Sequence, residues 1–509
     1  MARRCSISQS PWALALAFVA GLGHALAFAP WNQPWLQIAA LAALFALALR
    51  APSARRAAAL GGVFGLGWFG LGVSWVYVSL HNYGGLMAPV AAMATAGLVA
   101  FLSFYPALAL GVAARFVPDQ RWRAGLGLPA AWAASEWLRG TLLTGFPWLA
   151  SGYAHTDGWL AGYAPVLGVY GIGLIAALIA GALAGMTQAP RARGLAVAIV
   201  LVLAGGAALK AIEWSQPAGT LSVRLVQGDI GQDEKFTAAG MRRGFETYYD
   251  LMRLPPAANT PAPQLVVLPE SVFPVPLAYV PALYREAIEA YAREREAGVI
   301  FGVFLEPKPE QYYNSAVGVT PAGTPLSYSK RHLVPFGEFI PPGFRWFVDM
   351  MDIPIGDQQR GAAYQRPMDL AGQRVAVNIC YEDLFGEEII AAWADPAVAP
   401  TVLVNLSNLA WFDDSLALPQ HLQISRMRSL ETARPMLRST NTGATAVIDA
   451  QGRVQSVLPF MSQGVLDATV QATSGVTPYV RIGNAGALAL IGFALGLALV
   501  LGRRGARAA

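Results

Sequence analysis

The sequence AAALGGVFGLGWFGLGVSWVYVSLHNYGGLMAPVAAMATAGLVAFLSFYPALALGVAA, residues 57–114, contains no Asp, Glu, Lys or Arg. A helix needs about 20 predominantly apolar residues to cross a bilayer, so this stretch is long enough to cross twice. The core of a water-soluble domain does not need an uncharged segment of this length. The stretch therefore predicts membrane-spanning helices in the N-terminal part of the chain.

The rest of the sequence has a different composition. Only 13% of the 509 residues are charged, well below the roughly 25% of an ordinary soluble domain, and only three of the 31 acidic residues precede residue 213. The chain thus joins an apolar N-terminal part to a part with the charged residues of a water-soluble domain. Its net charge of +5 comes from short basic clusters between apolar runs, which does not fit a nucleic-acid-binding face.

Eight apolar runs are assigned as membrane crossings, of which the second, fifth and seventh are the shortest. They are Trp12–Phe28, Trp35–Leu49, Ala57–Leu80, Met87–Ala114, Ala124–Trp137, Pro165–Met186, Leu195–Leu209 and Ala485–Leu501. The first run follows two arginines as a signal peptide would. Because its cleavage site is poor and further apolar runs follow, we interpret it as a retained helix.

Arginine positions predict the orientation of these crossings. Basic clusters occur in every second connection, at Arg3/Arg4, Arg50/Arg55/Arg56, Arg115/Arg121/Arg123, Arg191/Arg193 and Arg503/Arg504/Arg507. Since Lys and Arg favour the cytoplasmic side of short loops, both termini are expected in the cytoplasm of a bacterium with an inner membrane. We predict transmembrane helices over 1–212, a periplasmic domain over 213–481, and a final helix with a basic tail over 482–509.

The 213–481 segment reads as alternating strands and helices, which predicts a layered α/β or α+β domain. The predicted strands are Leu221–Val226, Gln264–Leu268, Gly298–Leu305, Ser315–Thr320, Arg374–Ile379, Thr401–Leu406 and Ala444–Ile448. The predicted helices are Met241–Met252, Leu283–Glu296 and Gln420–Glu431. A Pro/Ala-rich stretch, residues 255–263, is expected to be a surface loop.

Three residues of this segment could perform nucleophilic catalysis together. Glu270 and Cys380 each follow a predicted strand, and Lys330 precedes a loop rich in Pro and Gly. A thiol is mostly protonated at pH 7, so Glu270 could take its proton while Lys330 lowers its pKa and stabilises an oxyanion. Spacing alone leaves other interpretations open, namely a buried core cysteine, an ordinary Pro-Glu turn and a solvated loop over Tyr328–Glu338.

The remaining candidates for chemistry are weaker. The histidines of this segment, His332 and His421, have no convincing partner pattern as catalytic bases. Cys5 lies 375 residues from Cys380 in a basic tail, which fits neither a disulfide nor a metal site, so we expect it to be inert. No metal or cofactor is expected.

Longer motifs around these residues resemble those of a known superfamily. Leu-Pro-Glu270-Ser, Tyr-Ser-Lys330-Arg-His-Leu-Val-Pro-Phe-Gly-Glu338 and Asn-Ile-Cys380-Tyr-Glu382 are similar to the catalytic motifs of the nitrilase, or carbon-nitrogen hydrolase, superfamily. With the membrane helices they resemble one branch, the bacterial apolipoprotein N-acyltransferases. The similarity extends to Val226-Gln-Gly, Tyr312-Tyr-Asn-Ser, Ser407-Asn-Leu-Ala-Trp-Phe412, Gln420-His-Leu, Arg438-Ser-Thr-Asn-Thr-Gly443, Glu136-Trp-Leu-Arg139 and Gly145-Phe-Pro-Trp148.

The resemblance implies an αββα sandwich and a Glu270–Lys330–Cys380 triad. Enzymes of this branch move an acyl chain from a phospholipid, commonly phosphatidylethanolamine, to the cysteine as a thioester. They then transfer it to the α-amino group of the diacylglyceryl-cysteine that begins an apolipoprotein, the last step of lipoprotein maturation. The resemblance assigns supporting roles to Glu338, Tyr381 and Glu382. We expect a monomer whose partners are the phospholipid donor, the apolipoprotein acceptor and the membrane.

Two positions depart from the branch's pattern. Phe236 stands where Trp is usual, and Leu409 stands where Asp is usual. Both flank the predicted triad, so we expect these differences to affect lipid or acceptor contacts and not the reaction class. The candidate lipid or acceptor contacts are Phe236, Trp411, Phe412 and Trp148.

Two other functions are compatible with parts of the sequence. A membrane-tethered amidase or nitrilase could use the same triad with water as acceptor, although a single anchor would suffice for it. A non-enzymatic scaffold or a transporter would be expected to carry charges near the membrane midplane, and residues 57–114 have none. Glu136 and Arg139, near the outer end of the fifth run, mark either a site or a salt bridge.

Overall fold

The structure, a computed structural model, describes residues 11–186, 192–258, 260–348 and 357–508. The predictions made for Arg3, Arg4, Cys5 and Arg191 lie outside these residues. The chain forms two compact units. The first contains residues up to 77, 89–213 and those from 481 onward, and the second contains Val78–Ala88 and Trp214–Val480.

The first unit is helical, and a helix overlaps each of the eight predicted runs. Its N-terminal helices are α1 (Pro11–Ala25), α2 (Pro34–Leu49), α3 (Ala54–Gly72), α4 (Trp75–Val78), α5 (Ala88–Phe116), α6 (Gln120–Trp122), α7 (Leu128–Thr141), α8 (Ala164–Met186) and α9 (Ala192–Lys210). A π-helical turn, Ser79–Tyr83, continues α4 and belongs to the second unit. The last helix of the chain, Ala485–Ala508, completes the unit.

Only some of these helices are long enough to cross a bilayer. Among the described residues, length and composition qualify four, Ala88–Phe116, Trp159–Met186, Arg193–Lys210 and Ala485–Gly505, and a fifth if α3 and Trp75–Tyr83, bent by 53°, count as one. At 15 and 16 residues, α1 and α2 reach about 24 Å, short of the ~30 Å hydrocarbon core. Four to five spans are therefore supported, and the count of eight stays a prediction.

Glu136 and Arg139 hold a loop inside the helical unit. Glu136 Oε1 accepts hydrogen bonds from the backbone N and the Oγ of Ser151, at 2.8 and 2.9 Å. Arg139 Nη1 donates to the carbonyls of Phe146 and Trp148, at 2.5 and 2.7 Å, and its Nη2 lies 3.8 Å from Glu136. Of the two interpretations of this pair, the structure supports a salt bridge that anchors backbone.

Over the described residues, the second unit has thirteen strands in two sheets. The strands are β1 (Gln216–Gln227), β2 (Leu265–Val267), β3 (Phe273–Pro276), β4 (Gly298–Leu305), β5 (Tyr313–Val319), β6 (Pro325–Ser329), β7 (Met368–Leu370), β8 (Gln373–Ile379), β9 (Val402–Ser407), β10 (Met436–Thr440), β11 (Ala446–Ile448), β12 (Val454–Val457) and β13 (Gly464–Ser474). One sheet has the order β13-β1-β2-β4-β5-β6, with β3 paired to β4, and the other has the order β12-β11-β10-β9-β8-β7.

Helices cover the outer faces of both sheets. The helices of this part of the chain are α10 (Gln232–Lys235), α11 (Ala238–Arg253), α12 (Ala282–Arg295), α13 (Arg345–Val348), α14 (Gly386–Ile389), α15 (Ala417–Thr432) and α16 (Pro478–Ile482). The last helix of the first unit, Ala485–Ala508, is α17. Tyr248 of α11 and Tyr291 of α12 pack on the first sheet, and Leu422 of α15 packs on the second. The order of layers is thus helix, sheet, sheet, helix.

Alternation along the strands places the main core between the two sheets. In β1 and β8, every second residue points into the sandwich, and the intervening residues face the helices. The inward residues of these strands are Leu221, Val223, Leu225, Val375, Val377 and Ile379. The αββα sandwich implied by the resemblance is therefore the fold of this unit.

Strand directions bring the predicted site residues to one edge of each sheet. β2 is parallel to β4, while β5 is antiparallel to both β4 and β6, so β6 runs in the same direction as β2. Glu270 follows β2 and Lys330 follows β6, which puts both at the same edge of the first sheet. In the second sheet β8 and β9 are parallel, and Cys380 and Asn408 follow them.

Candidate active site

Cys380 lies where the buried strand β8 turns into a short 3₁₀ helix, Cys380–Leu384. Its φ angle is +53°, in the left-handed region that costs a non-glycine residue about 1–2 kcal/mol. The side chain is half-buried, and the sulfur is a free thiol. Such a backbone conformation persists only where surrounding contacts hold it.

Glu270 is held by groups from both sheets. Its Oε1 accepts a hydrogen bond from Asn314 Nδ2 at 2.7 Å, and its Oε2 accepts one from the backbone N of Asn408 at 2.7 Å. Gly302 in β4 makes room for this turn, because a Cβ atom there would lie 2.4 Å from the Ser271 nitrogen. The carboxylate is therefore fixed from several directions.

Lys330 joins two carboxylates. Its Nζ lies 2.7 Å from Glu338 Oε1 and 3.6 Å from Glu270 Oε1, and its side chain is buried. Asn314 Nδ2 also donates to Glu338 Oε1, at 3.0 Å, so one amide bridges Glu270 and Glu338. The backbone N of Val334 donates to Glu338 Oε2 at 2.8 Å, which fixes the second carboxylate to the loop after Lys330.

The charges of this cluster act on the thiol of Cys380. Burial raises its pKa well above the ordinary range, Glu270 adds to that rise, and Lys330 opposes it. Burial alone would lower the pKa of Lys330, but Glu338, Glu270 and Cys380 outweigh it, so the lysine stays an ammonium. The resting site therefore holds a protonated thiol beside a carboxylate and a fixed cation.

Glu382 connects the turn at Cys380 with the segment after Lys330. Its carboxylate accepts hydrogen bonds from the backbone N of Ile379 at 2.7 Å, Arg331 at 2.6 Å and His332 at 3.2 Å, and from the Tyr328 hydroxyl at 2.9 Å. Burial raises its pKa to about 7, although these backbone donors oppose the rise. Glu382 thus joins the turn that carries Cys380 to the segment that follows Lys330.

Aromatic residues next to the site form part of its surroundings. Tyr381 is buried, with its ring 5.3 Å from that of Phe385 in an edge-to-face arrangement. Phe236 follows α10 and is half-buried, as are Trp411 and Phe412 in the 3₁₀ turn Ala410–Phe412. Each of these three side chains keeps part of its surface exposed, and the lipid or acceptor contacts predicted for them stay a prediction.

Two predicted positions have other surroundings. Trp148 belongs to the helical unit, is 3% exposed and packs with its ring 4.8 Å from Trp75, so its surroundings give no support to a lipid contact. Leu409 is 1% exposed, so an effect of this departure on lipid contacts would have to be indirect.

Comparisons with known proteins agree with this architecture. The family described as apolipoprotein N-acyltransferase N-terminal domain matches residues 20–182, and the carbon-nitrogen hydrolase family matches residues 222–479. The apolipoprotein N-acyltransferase of Ralstonia nicotianae is 49% identical, over 99% of this chain and 96% of its own. That of Bordetella bronchiseptica is 47% identical, over 96% of this chain and 97% of its own.

The chain belongs to the apolipoprotein N-acyltransferase family. Membership makes it an acyltransferase of lipoprotein maturation, with membrane helices and a nitrilase-like domain. The solved carbon-nitrogen hydrolase from Helicobacter pylori covers 50% of this chain and 89% of its own, at 16% identity and a TM-score of 0.37.

Four polar residues at the site had no role assigned from the sequence. Asn314 binds both carboxylates, and Lys235, which is buried, donates to the Glu270 carbonyl at 3.3 Å. His421 and Arg438 lie behind the Cys380 backbone. All four belong to motifs that resemble the family's or flank them, but only their position in space shows what each one contacts.

Proposed function

We propose that this protein transfers an acyl chain from a phospholipid to the α-amino group of a diacylglyceryl-cysteine, through a thioester on Cys380. The observation that carries the proposal is the cluster of Glu270, Lys330 and Glu338 next to a thiol on a left-handed turn. It supplies a base, a cation and a nucleophile within one buried region.

In the first half-reaction Glu270 takes the proton of the Cys380 thiol, and the thiolate attacks a carbonyl carbon of the phospholipid ester. The lysine ammonium faces the negative charge that develops on the carbonyl oxygen, an interaction worth about 3–4 kcal/mol for a single well-placed donor. The tetrahedral intermediate then expels the glycerol oxygen, which takes the proton back from Glu270. The products are a lysophospholipid and the acyl-thioester.

In the second half-reaction the α-amino group of the acceptor attacks the thioester carbonyl. Glu270 takes a proton from the attacking nitrogen, an amide bond forms, and the sulfur leaves. The sulfur is then protonated by Glu270, which returns the site to its resting state. Because Lys330 remains an ammonium throughout, the same group stabilises both tetrahedral intermediates.

The presence of a helical membrane unit is an argument for lipidated substrates and against soluble ones. Each buried CH₂ holds a lipid in the bilayer by about 0.8 kcal/mol, so a water-soluble enzyme would have to extract donor and acceptor at a large cost. We propose eight crossings, with both termini in the cytoplasm and the sandwich domain in the periplasm. Phosphatidylethanolamine is the proposed donor.

Intact mass spectrometry of the purified protein after exposure to phosphatidylethanolamine vesicles tests the proposal. We expect a mass increase of one acyl chain on the wild type and on Cys5→Ala, and none on Cys380→Ala, because Cys5 and Cys380 are the two thiols of the chain. Adding a diacylglyceryl-cysteine peptide should discharge the adduct and yield an N-acylated peptide. An adduct on Cys380→Ala would contradict the proposed nucleophile, and release of only free fatty acid would favour the amidase-like alternative.

A further inference from the structure

The backbone carbonyl of Cys380 is held by two side chains from behind the site. His421 Nε2 lies 3.1 Å from this oxygen, and Asn405 Nδ2 donates to it at 3.4 Å. His421 comes from α15 and Asn405 from β9, so two different elements meet at the carbonyl. Because a peptide unit is planar, holding this oxygen fixes the whole plane that follows the nucleophile.

The partner of the other ring nitrogen determines the tautomer of His421. Arg438 Nη2 lies 2.7 Å from His421 Nδ1, and a guanidinium donates hydrogen bonds but cannot accept them. Nδ1 must therefore be the unprotonated acceptor, and Nε2 must carry the proton that it donates to the Cys380 carbonyl. Burial lowers the pKa of His421 far below its usual value, and Arg438 lowers it further, so the ring stays neutral.

Arg438 is itself fixed by buried partners. Its Nη1 lies 3.2 Å from Asp383 Oδ2, 3.2 Å from Asn405 Oδ1 and 2.7 Å from Ser425 Oγ, and its Nε donates to the Ala444 carbonyl at 3.1 Å. Ser425 Oγ also donates to Asp383. These side chains are fully buried, so the arrangement is closed to water.

We propose that His421, held in one tautomer by Arg438, is a positioning residue that keeps Cys380 in its left-handed conformation. The proposal rests on the proposed role of Cys380 as nucleophile. Without His421, only the longer contact from Asn405, at 3.4 Å, remains on the carbonyl, and Cys380 can relax toward the conformations that non-glycine residues prefer. The sulfur then moves relative to Lys330 and Arg438, the two cations whose charges favour the thiolate.

His421 does not act as the base in this arrangement. Its Nε2 proton faces a carbonyl oxygen, and its Nδ1 lone pair is occupied by Arg438. Neither nitrogen is available to take the thiol proton, in contrast to the histidine of a Ser-His-Asp triad. His421 therefore acts on the sulfur indirectly, by fixing the backbone of Cys380.

Two substitutions of His421 test whether a donor is needed at the position of Nε2 or whether any polar side chain is enough. His421→Gln places its amide nitrogen near the position of Nε2, and His421→Asn reaches only to that of Nδ1. In a Cys5→Ala background we would measure alkylation of Cys380 by iodoacetamide at pH 8 and the acyl adduct formed from phosphatidylethanolamine vesicles. We expect His421→Asn to lower the alkylation rate by about tenfold, the effect of raising a thiol pKa by one unit, and His421→Gln to stay within about threefold of the parent.

The matched control is Thr432→Val on the same helix. It removes one buried side-chain hydrogen bond to a carbonyl, that of Arg428, away from Cys380. Its alkylation rate should equal that of the parent, even if its melting temperature falls. Equal rates for His421→Asn and His421→Gln, or a parallel loss in Thr432→Val, would overturn the proposal.

A further variant covers the case in which His421→Asn does not fold. Ser425→Ala removes a contact of Arg438 and leaves His421 in place, so it should slow alkylation in the same direction by a smaller factor. An unchanged rate in a folded Ser425→Ala protein would then count against the proposal. Failure of the parent protein to form an acyl adduct would instead contradict the proposed function, because alkylation needs no lipid.

Discussion

Glu270 and Glu338 both contact Lys330, but their positions differ. Glu338 pairs with Lys330 at 2.7 Å and accepts a backbone hydrogen bond, whereas Glu270 lies 3.6 Å from the lysine. Glu270 also raises the pKa of the Cys380 thiol more than Glu338 does. Glu270 is thus the carboxylate better placed to exchange a proton with the sulfur, and Glu338 the one better placed to orient Lys330.

This difference predicts different defects in two conservative variants. Glu270→Gln should slow acylation by about 10²- to 10⁴-fold through loss of the general base, while Glu338→Gln should keep a measurable rate. Raising the pH should restore acylation more in Glu270→Gln than in Glu338→Gln. Hydroxide then deprotonates the Cys380 thiol without a general base, and Glu270→Gln also lacks the negative charge of Glu270, which disfavours the thiolate. A burst assay with a fluorescent phospholipid across pH measures both. Equal defects without recovery in either variant would contradict this assignment.

Lys235 predicts a trade between stability and activity. Burial lowers its pKa from 10.5 to about 8, with nearby Glu270 opposing the shift. The folded state therefore disfavours the charged form of Lys235. Its contribution to the free energy of unfolding is present above pH 10.5, where the lysine is neutral in both states, and is lost as the pH falls through 8. Lys235→Met should raise the free energy of unfolding at pH 7 by about 1–3 kcal/mol, with little gain above pH 10.5.

The same variant should acylate more slowly, because it loses the donor to the Glu270 carbonyl. Thermal unfolding in detergent at pH 7 and pH 10.5, with a burst assay, measures both effects. Lys308→Met, at an exposed lysine, is the control and should change neither quantity. A lower melting temperature for Lys235→Met at both pH values would show that its contacts outweigh the cost of burial.

The candidate site shows what single residues can reveal in a sequence. Glu270, Lys330 and Cys380 each follow a strand at a sheet edge, and such positions were predictable from apolar runs that end in reactive side chains. His421 was not predictable as a contact of the nucleophile, because its partners Arg438 and Cys380 are distant in the chain. Only the sandwich brings these three residues together.

At the scale of elements, the segment 408–413 of the second unit connects the candidate site with residues 82 and 83. Residues 408–413 begin at Asn408, which donates to Glu270 and to Gln232 of α10, and end at Asp413. Asp413 accepts a hydrogen bond from Asn82 Nδ2 at 2.8 Å and another from the Tyr83 hydroxyl. Two ends of one aromatic-bearing segment are therefore held by different partners.

This arrangement predicts a selective effect of Tyr83→Phe. The variant loses the hydroxyl but keeps the ring that lies 6.1 Å from Trp411. Loss of one hydrogen bond, about 0.5–1.5 kcal/mol, should lower the acylation rate with phospholipid by about three- to tenfold. Iodoacetamide should alkylate Cys380 at the wild-type rate, since Asn408 keeps its own contacts. Tyr279→Phe, at an exposed tyrosine, is the control, and a matching loss of alkylation would contradict a role limited to the lipid.

Long apolar strands were predictable, whereas two strands rich in polar residues, β10 and β13, were missed. The predicted Gly298–Leu305 matches β4 at both ends, and Arg374–Ile379 differs from β8 by one residue. β10 was missed because its last three residues, Arg438, Ser439 and Thr440, are polar and buried through long-range hydrogen bonds. β13 was missed because its polar residues weaken the apolar pattern, and its pairing with β1 is a contact across most of the second unit.

At the scale of the whole molecule, composition divides the chain close to where the structure does. All but three of the 31 acidic residues lie from Glu213 onward, and the second unit resumes at Trp214. The structure adds Val78–Ala88 to that unit, a connection between apolar helices whose membership depends on contacts such as those of Asp413. Composition could not predict that Val78–Ala88 belongs to the second unit, because its partner Asp413 lies more than 300 residues away in the chain.

The side of the membrane on which each unit lies gives the last prediction. α17 qualifies as a span by length and composition and ends in a cluster of arginines, Arg503, Arg504 and Arg507. A reporter fused after Arg507 should therefore behave as cytoplasmic, and one inserted in residues 255–263 as periplasmic. The two positions are separated by α17, so reports from the same side would mean that this helix does not cross. Opposite sides with the assignments exchanged would mean an even number of crossings before the sandwich, contradicting the seven inferred from the arginine pattern.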